Sequence, residues 1–109
     1  MAGEAVFPIG WQNGAFVPAA AVTLPLLAPG VTYAASVFEG IRAYAQGDGS
    51  GVALFRLDEH LDRLRRSCAV LGLDEIPDMA EMAQVLVDLM ARNAVCEDTY
   101  IRLQVYVDG

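Results

Sequence analysis

The sequence predicts an α+β domain, an antiparallel sheet with two helices. Three observations lead there. Two stretches repeat apolar residues at helical spacing, and others alternate with a period of two. The strand-like stretches are joined by short turns, which connect antiparallel neighbours. Strands, two helices and a further strand follow one another along the chain, as α+β domains require.

The first element is a hairpin. Residues 6–11 read as extended, Asn13-Gly14 as the turn and residues 15–17 as the return. Asn-Gly suits a type I′ turn, in which both central residues need positive φ. Pro18, Pro25 and Pro29 then punctuate a loop closed by Gly30, with a short strand expected at residues 21–24.

Residues 36–44 alternate. Val37, Glu39, Ile41 and Ala43 face one way; Phe38, Gly40, Arg42 and Tyr44 face the other. The glycine-rich run at residues 47–51 is read as a hairpin loop leading to a partner strand at residues 52–56. It lacks the Lys-Ser/Thr ending of a phosphate-binding loop.

A helix is expected from an N-cap at Asp58 to Leu71, with Leu57, Leu61, Leu64, Cys68 and Leu71 as its buried stripe. Glu59 with Arg63, and Asp62 with Arg66, stand one turn apart in the favourable acid-first order. Gly72 suits the position after the helix. A second helix runs from Pro77 and Asp78 to Asn93, with Met82, Leu86, Leu89 and Met90 on its apolar face. The last strand, residues 100–107, puts Tyr100, Arg102, Gln104 and Tyr106 on one face and Ile101, Leu103, Val105 and Val107 on the other.

Composition narrows the function classes. The chain has 109 residues, is 55% hydrophobic and carries a formal charge of -7. One domain is expected, with part of its apolar surface covered by another domain or subunit. The acidity argues against nucleic acid as a partner. All seven basic residues are arginine, and there is no lysine. Most of these arginines are expected in solvated ion pairs; the rest are candidate anion sites. Cys68 and Cys96 have no CxxC spacing, so they are read as two buried, reduced thiols, and with the single His60 they make no metal site. No signal peptide is expected, and the longest apolar stretch, residues 19–29, is broken by Thr23, Pro25 and Pro29 and cannot span a membrane.

Two strand faces draw attention. Gly40 lies between Phe38 and Arg42 on one face, and a mid-strand glycine marks either the close approach of a ligand or tight sheet packing. Tyr100 and Arg102 point to one side of the last strand. A phenol beside a planar guanidinium makes a carboxylate receptor, or Arg102 simply pairs with an acidic neighbour at the sheet rim. His60 is read as a packing and hydrogen-bonding residue. Asp74-Glu75 and Glu97-Asp98 are read as solvated turns.

The run from Tyr33 to Tyr44, YAASVFEGIRAY, resembles the YGxSVFEGIRxY signature of branched-chain aminotransferases, which are fold-type IV enzymes dependent on pyridoxal 5′-phosphate. Three further blocks occur in that family's order: the tryptophan and Asn-Gly hairpin at residues 11–18, the FR-x-x-EH-x-x-RL-x-x-S helix entry within residues 54–67, and the asparagine-to-YIR strand at residues 93–102. Ala34 and Leu103 stand where the family usually has glycine and proline.

The resemblance implies that the 109 residues form the N-terminal domain of such an enzyme. It implies that Arg63 binds the cofactor phosphate. Phe38 and Gly40 would line the substrate pocket, with the glycine leaving room for the substrate side chain. Tyr100 and Arg102 would shape the pocket and receive the distal carboxylate of glutamate or 2-oxoglutarate. Tyr33 would reach the pocket of a neighbouring subunit. The family's cofactor-linking lysine lies in a second, C-terminal domain, so no catalytic residue is expected here and the chain alone is expected to be inactive. A cytoplasmic homodimer exchanging amino groups between leucine, isoleucine or valine and 2-oxoglutarate is the implied whole. The alternatives are a D-amino acid aminotransferase or an aminodeoxychorismate lyase of the same fold, or a non-catalytic binding or assembly domain.

Overall fold

The computed structural model describes residues 7–28 and 36–107. The α+β expectation holds. A hairpin of β1 (Ile9–Gln12) and β2 (Ala15–Pro18) stands apart from a three-stranded antiparallel sheet in the order β4-β3-β5. That sheet comprises β3 (Ser36–Ala45), β4 (Val52–Leu54) and β5 (Thr99–Tyr106), and the helices α1 (Leu57–Val70) and α2 (Met79–Arg92) lie between β4 and β5 in the chain.

Local chemistry accounts for the connections. Asn13 and Gly14 both take positive φ, 52° and 92°, which gives the primed turn that matches strand twist. After α1, Leu73 N–H donates to the Cys68 carbonyl at 2.8 Å and Gly72 N–H to the Ala69 carbonyl at 3.1 Å. With Gly72 at φ 72°, this is a Schellman ending. The end of α2 repeats the motif with Val95 on Met90 and Ala94 on Ala91, but the left-handed position falls on Ala94 at φ 50°.

The long pairing is β3 with β5, from Ser36↔Tyr106 to Ala43↔Thr99. Alternation then does what the sequence pattern implies. Ile41, Ala43, Ile101 and Leu103 are buried, and they pack with Leu61, Leu64 and Cys68 of α1 and with Met82 and Leu86 of α2. Asn93 ties the hairpin to the end of α2, beside the stacking of Arg92 on Phe16 at 4.0 Å. Ile9 N–H donates to Asn93 Oδ1 at 2.9 Å, and Asn93 Nδ2 returns a bond to the Ile9 carbonyl at 2.8 Å. An amide side chain thus serves as a strand partner at the end of α2.

Several local expectations are corrected: Leu71, expected in the buried stripe, is 53% exposed just past the end of α1, and the strand expected over residues 52–56 ends at Leu54. Residues 21–24 form no strand; the chain makes a 3₁₀ turn at Ala19–Ala21, and the Gln12 amide holds the following backbone at the Thr23 carbonyl, 2.7 Å away. Pro18 and Pro25 remove donors on both sides, so a ladder has little to grow from. The N-cap of α1 is Arg56, in the left-handed region at φ 52°, and Asp58 sits in the first turn. Arg63 is not paired with Glu59, which instead meets Arg56 at 3.4 Å; Asp62 does pair with Arg66, and with Arg65 as well. Cys96 is exposed, although Cys68 is buried and both are free thiols. Residue 6, Pro29 and Gly30 lie outside the described residues.

The left-handed alanine yields a test. Ala94 is exposed and bears a Cβ in a conformation that glycine adopts without penalty. Ala94→Gly is expected to raise stability by roughly 0.5–1 kcal/mol, read as a higher urea midpoint at unchanged m. An unchanged or lower midpoint would show that Ala94 carries no such strain.

Candidate functional site

The two faces of β3 carry different chemistry. On the helix side, Glu39 is only 5% exposed, in line with Ile41 and Ala43 and opposite Leu103 in β5. A carboxylate there must find partners or lose its charge. Two come from α1, three residues apart and therefore on one helix face. Arg63 donates through Nε to Glu39 Oε2 at 3.0 Å and through Nη2 to Oε1 at 2.9 Å, a two-pronged pairing. His60 Nδ1 lies 2.8 Å from Oε1. An ionised carboxylate only accepts, so Nδ1 carries the proton in this contact.

Burial pushes the Glu39 carboxyl up. The hydrogen bonds and charges of Arg63 and His60 together outweigh it and hold the group below its ordinary value of 4.5. Arg63 is correspondingly held more firmly protonated by Glu39. Its side chain remains 63% exposed, and Nη1 has no hydrogen-bond partner among the described residues. The guanidinium is thus fixed along one edge and open at the other.

The second face, turned away from the helices, brings Phe38, Gly40, Tyr100 and Arg102 together. Phe38 and Tyr100 are about half exposed, at 52% and 53%. Gly40 stands directly opposite Arg102, and Arg42 opposite Tyr100. A Cβ on Gly40 would meet the Tyr100 hydroxyl and come within 2.8 Å of Cε2 and 2.9 Å of Cζ. The space opened by this glycine is therefore occupied by the phenol. What the glycine admits is the Tyr100 ring.

Arg102 is stacked over Phe38, with Cζ 4.1 Å from the ring centroid. It has no carboxylate partner among the described residues; its Nε donates to Gln104 Oε1 at 3.3 Å. The rim ion pair, one of the two readings of this arginine, is thereby not what the structure has. A cavity of about 340 Å³ adjoins it, lined by Arg102 and Gln104 together with Trp11, Val22 and Leu24. Tyr33 lies outside the described residues.

Of the predicted site residues, four therefore share one face, while Arg63 stands on α1 at the opposite face of β3. Glu39 was missed. Its signal was legible: one acid in an otherwise apolar strand face, with a histidine and an arginine three apart on the following helix. Among the described residues there is no group of three His, Cys, Asp or Glu that could hold a metal, and no helix is long and apolar enough to cross a membrane.

Comparison with known proteins bears on the family and the fold. A family model described as amino-transferase class IV matches residues 36–109. A probable branched-chain-amino-acid aminotransferase of Rickettsia bellii is 38% identical over 92 residues, which is 84% of this chain and 29% of that protein. The branched-chain-amino-acid aminotransferase of Mycobacterium tuberculosis is 42% identical over 69 residues, 63% of this chain and 18% of that protein. Among solved structures, the branched-chain aminotransferase of Thermoproteus uzoniensis with norvaline superposes with a TM-score of 0.83 at 35% identity, covering 91% of this chain and 33% of that one. A T.th. branched-chain amino acid aminotransferase complexed with N-(5′-phosphopyridoxyl)-L-glutamate gives 0.85 at 34%, covering 94% and 34%. The chain thus spans about a third or less of the length of the proteins it matches.

The anchor at Glu39 is testable by stability. Glu39→Gln removes the charge and one acceptor from Arg63. With Arg63 largely in solvent, the expected loss is about 1–2 kcal/mol at pH 7. The parent's depressed Glu39 contributes stability that is present above 4.5 and disappears as pH falls through the folded-state value. The difference between parent and variant should therefore shrink as the pH drops below 4.5. Urea melts at a series of pH values measure it, and a gap that stays constant would remove Glu39 from the account.

Proposed function

Because this chain belongs to the class IV aminotransferase family, we propose that it is the N-terminal part of a pyridoxal 5′-phosphate-dependent transaminase of the branched-chain kind. The observation that carries the substrate side is the open face: Phe38, Tyr100 and an Arg102 with no acidic partner among the described residues. Phe38 offers an apolar surface to a leucine, isoleucine or valine side chain. Arg102 offers a charge to the distal carboxylate of glutamate or 2-oxoglutarate. One site that must take both kinds of substrate in turn needs both features. Arg102 also favours this reading over a D-amino acid aminotransferase or an aminodeoxychorismate lyase. Tyr33 is kept as a proposed contributor from a neighbouring subunit.

The cofactor suits the residues at one point. Arg63 is oriented by Glu39 and keeps an unengaged Nη1, which fits a phosphate oxygen. When bound, pyridoxal 5′-phosphate supplies the electron sink for chemistry at the substrate α-carbon. The 109 residues contain no lysine, so the amine that links the cofactor is assigned to a second, C-terminal domain. By itself this chain is expected to show no transamination. A homodimer is the proposed assembly, in keeping with exposed Leu26 and Leu27, which are 77% and 82% accessible. Two free cysteines suit a reducing, cytoplasmic setting.

Two substitutions in the complete protein separate the roles. Arg102→Ala should raise KM for glutamate and 2-oxoglutarate about ten- to a hundred-fold, the equivalent of a charge-assisted hydrogen bond, and leave leucine nearly unchanged. Arg63→Met should weaken pyridoxal 5′-phosphate far more than pyridoxal, which lacks the phosphate. Equal losses on leucine and glutamate would make Arg102 structural, and equal losses on the two cofactor forms would do the same for Arg63.

A further inference from the structure

The open face holds a polar side chain that the proposed function does not use. Gln104 stands directly opposite Phe38 in the β3–β5 register, beside Arg102 on the same strand face. Its Oε1 accepts from Arg102 Nε at 3.3 Å, and its Nε2 donates to Ser36 Oγ at 3.2 Å. The second bond fixes the amide. With the NH₂ end turned to Ser36, the carbonyl end faces Arg102.

The guanidinium is thus restrained on two sides. Phe38 covers one flat face at 4.1 Å, and Gln104 takes the Nε corner. Nη1 and Nη2 have no hydrogen-bond partner among the described residues. A planar fork offers a carboxylate two edges, one through Nε and one through the two Nη groups. With Nε engaged, the Nη edge is the one left for two-pronged contact. Directly opposite Arg102, the space left by Gly40 is taken by the Tyr100 ring.

We infer that Gln104 is a positioning residue for substrate choice: it turns the Nη edge of Arg102 toward an incoming distal carboxylate, so the site takes dicarboxylic substrates by one defined contact. This rests on the carboxylate-receptor reading of Arg102. Glutamine serves because it is neutral. A glutamate at this position would accept from Arg102 as strongly as the substrate and would compete for it. An aliphatic residue would leave the guanidinium free to turn over Phe38. The ordering lowers the entropy that Arg102 loses on binding.

Binding of two unreactive acids to the complete, cofactor-loaded protein tests this by calorimetric titration. Glutarate carries the second carboxylate; 4-methylvalerate has a branched apolar end instead. Gln104→Leu should weaken glutarate roughly two- to ten-fold, the equivalent of one neutral hydrogen bond, and leave 4-methylvalerate within about twofold. Gln104→Glu should weaken glutarate more than Gln104→Leu does. Unchanged glutarate binding in Gln104→Leu, or equal weakening of both acids, overturns the inference. Arg102→Ala tells the two levels apart. If it weakens glutarate selectively while Gln104→Leu does not, the role of Gln104 falls and that of Arg102 stands. If Arg102→Ala weakens both acids alike, the receptor reading fails and the inference fails with it.

Discussion

A carboxylate inside the core is the constraint from which the domain's arrangement follows. Glu39 lies on the buried face of the longest strand, where an unpaired charge would cost several kcal/mol. Its partners, His60 and Arg63, come from the helix that covers that face. They therefore set which way α1 is turned. The turn that brings them to Glu39 also points Leu61, Leu64 and Cys68 into the core. Polar and apolar requirements agree on one orientation, and such agreement selects a single packing.

The same carboxylate fixes the strand's phase. Side chains alternate, so Glu39 facing inward obliges Phe38 and Gly40 to face outward. A slip of one residue would bury Phe38 and Arg42 and expose Ile41, which is now fully buried. The strand thus separates two kinds of arginine. Arg63 is locked by an acid on the structural side. Arg102, on the open side, is steadied by a ring and an amide and keeps its charge uncompensated among the described residues. The ion pair holds Arg63 along one edge and leaves Nη1 open, whereas stacking and a neutral acceptor orient Arg102 without an opposing charge.

Solvent-facing aromatic residues are the counterpart of that availability. Phe38 and Tyr100 gain little folding energy when half exposed, and Gly40 loses conformational entropy in a strand interior. These local costs concentrate on one face, and the core on the other face supports them. Sites whose residues break the local folding rules are where binding is expected.

Much of this was legible in the chain itself. Period-two alternation gave β3 and β5 and the membership of both faces, because that pattern depends only on backbone geometry. Helical spacing gave α1 and α2, and Asn13-Gly14 and Gly72 marked turns that need positive φ. By pattern alone, Phe38, Gly40, Tyr100 and Arg102 could be assigned to strand faces but not to a common neighbourhood; the family resemblance implied one. The tertiary structure brings them together physically, since the β3–β5 register joins residues some sixty positions apart and is set by long-range packing. It also decided that Arg63 goes to Glu39 and not to the nearer Glu59. A buried carboxylate needs a partner far more than an exposed one does, and helical spacing carries no information about what the helix packs against. The glycine shows the division most clearly: the sequence marked Gly40 as a place of close approach, and the fold determined that Tyr100 is what approaches.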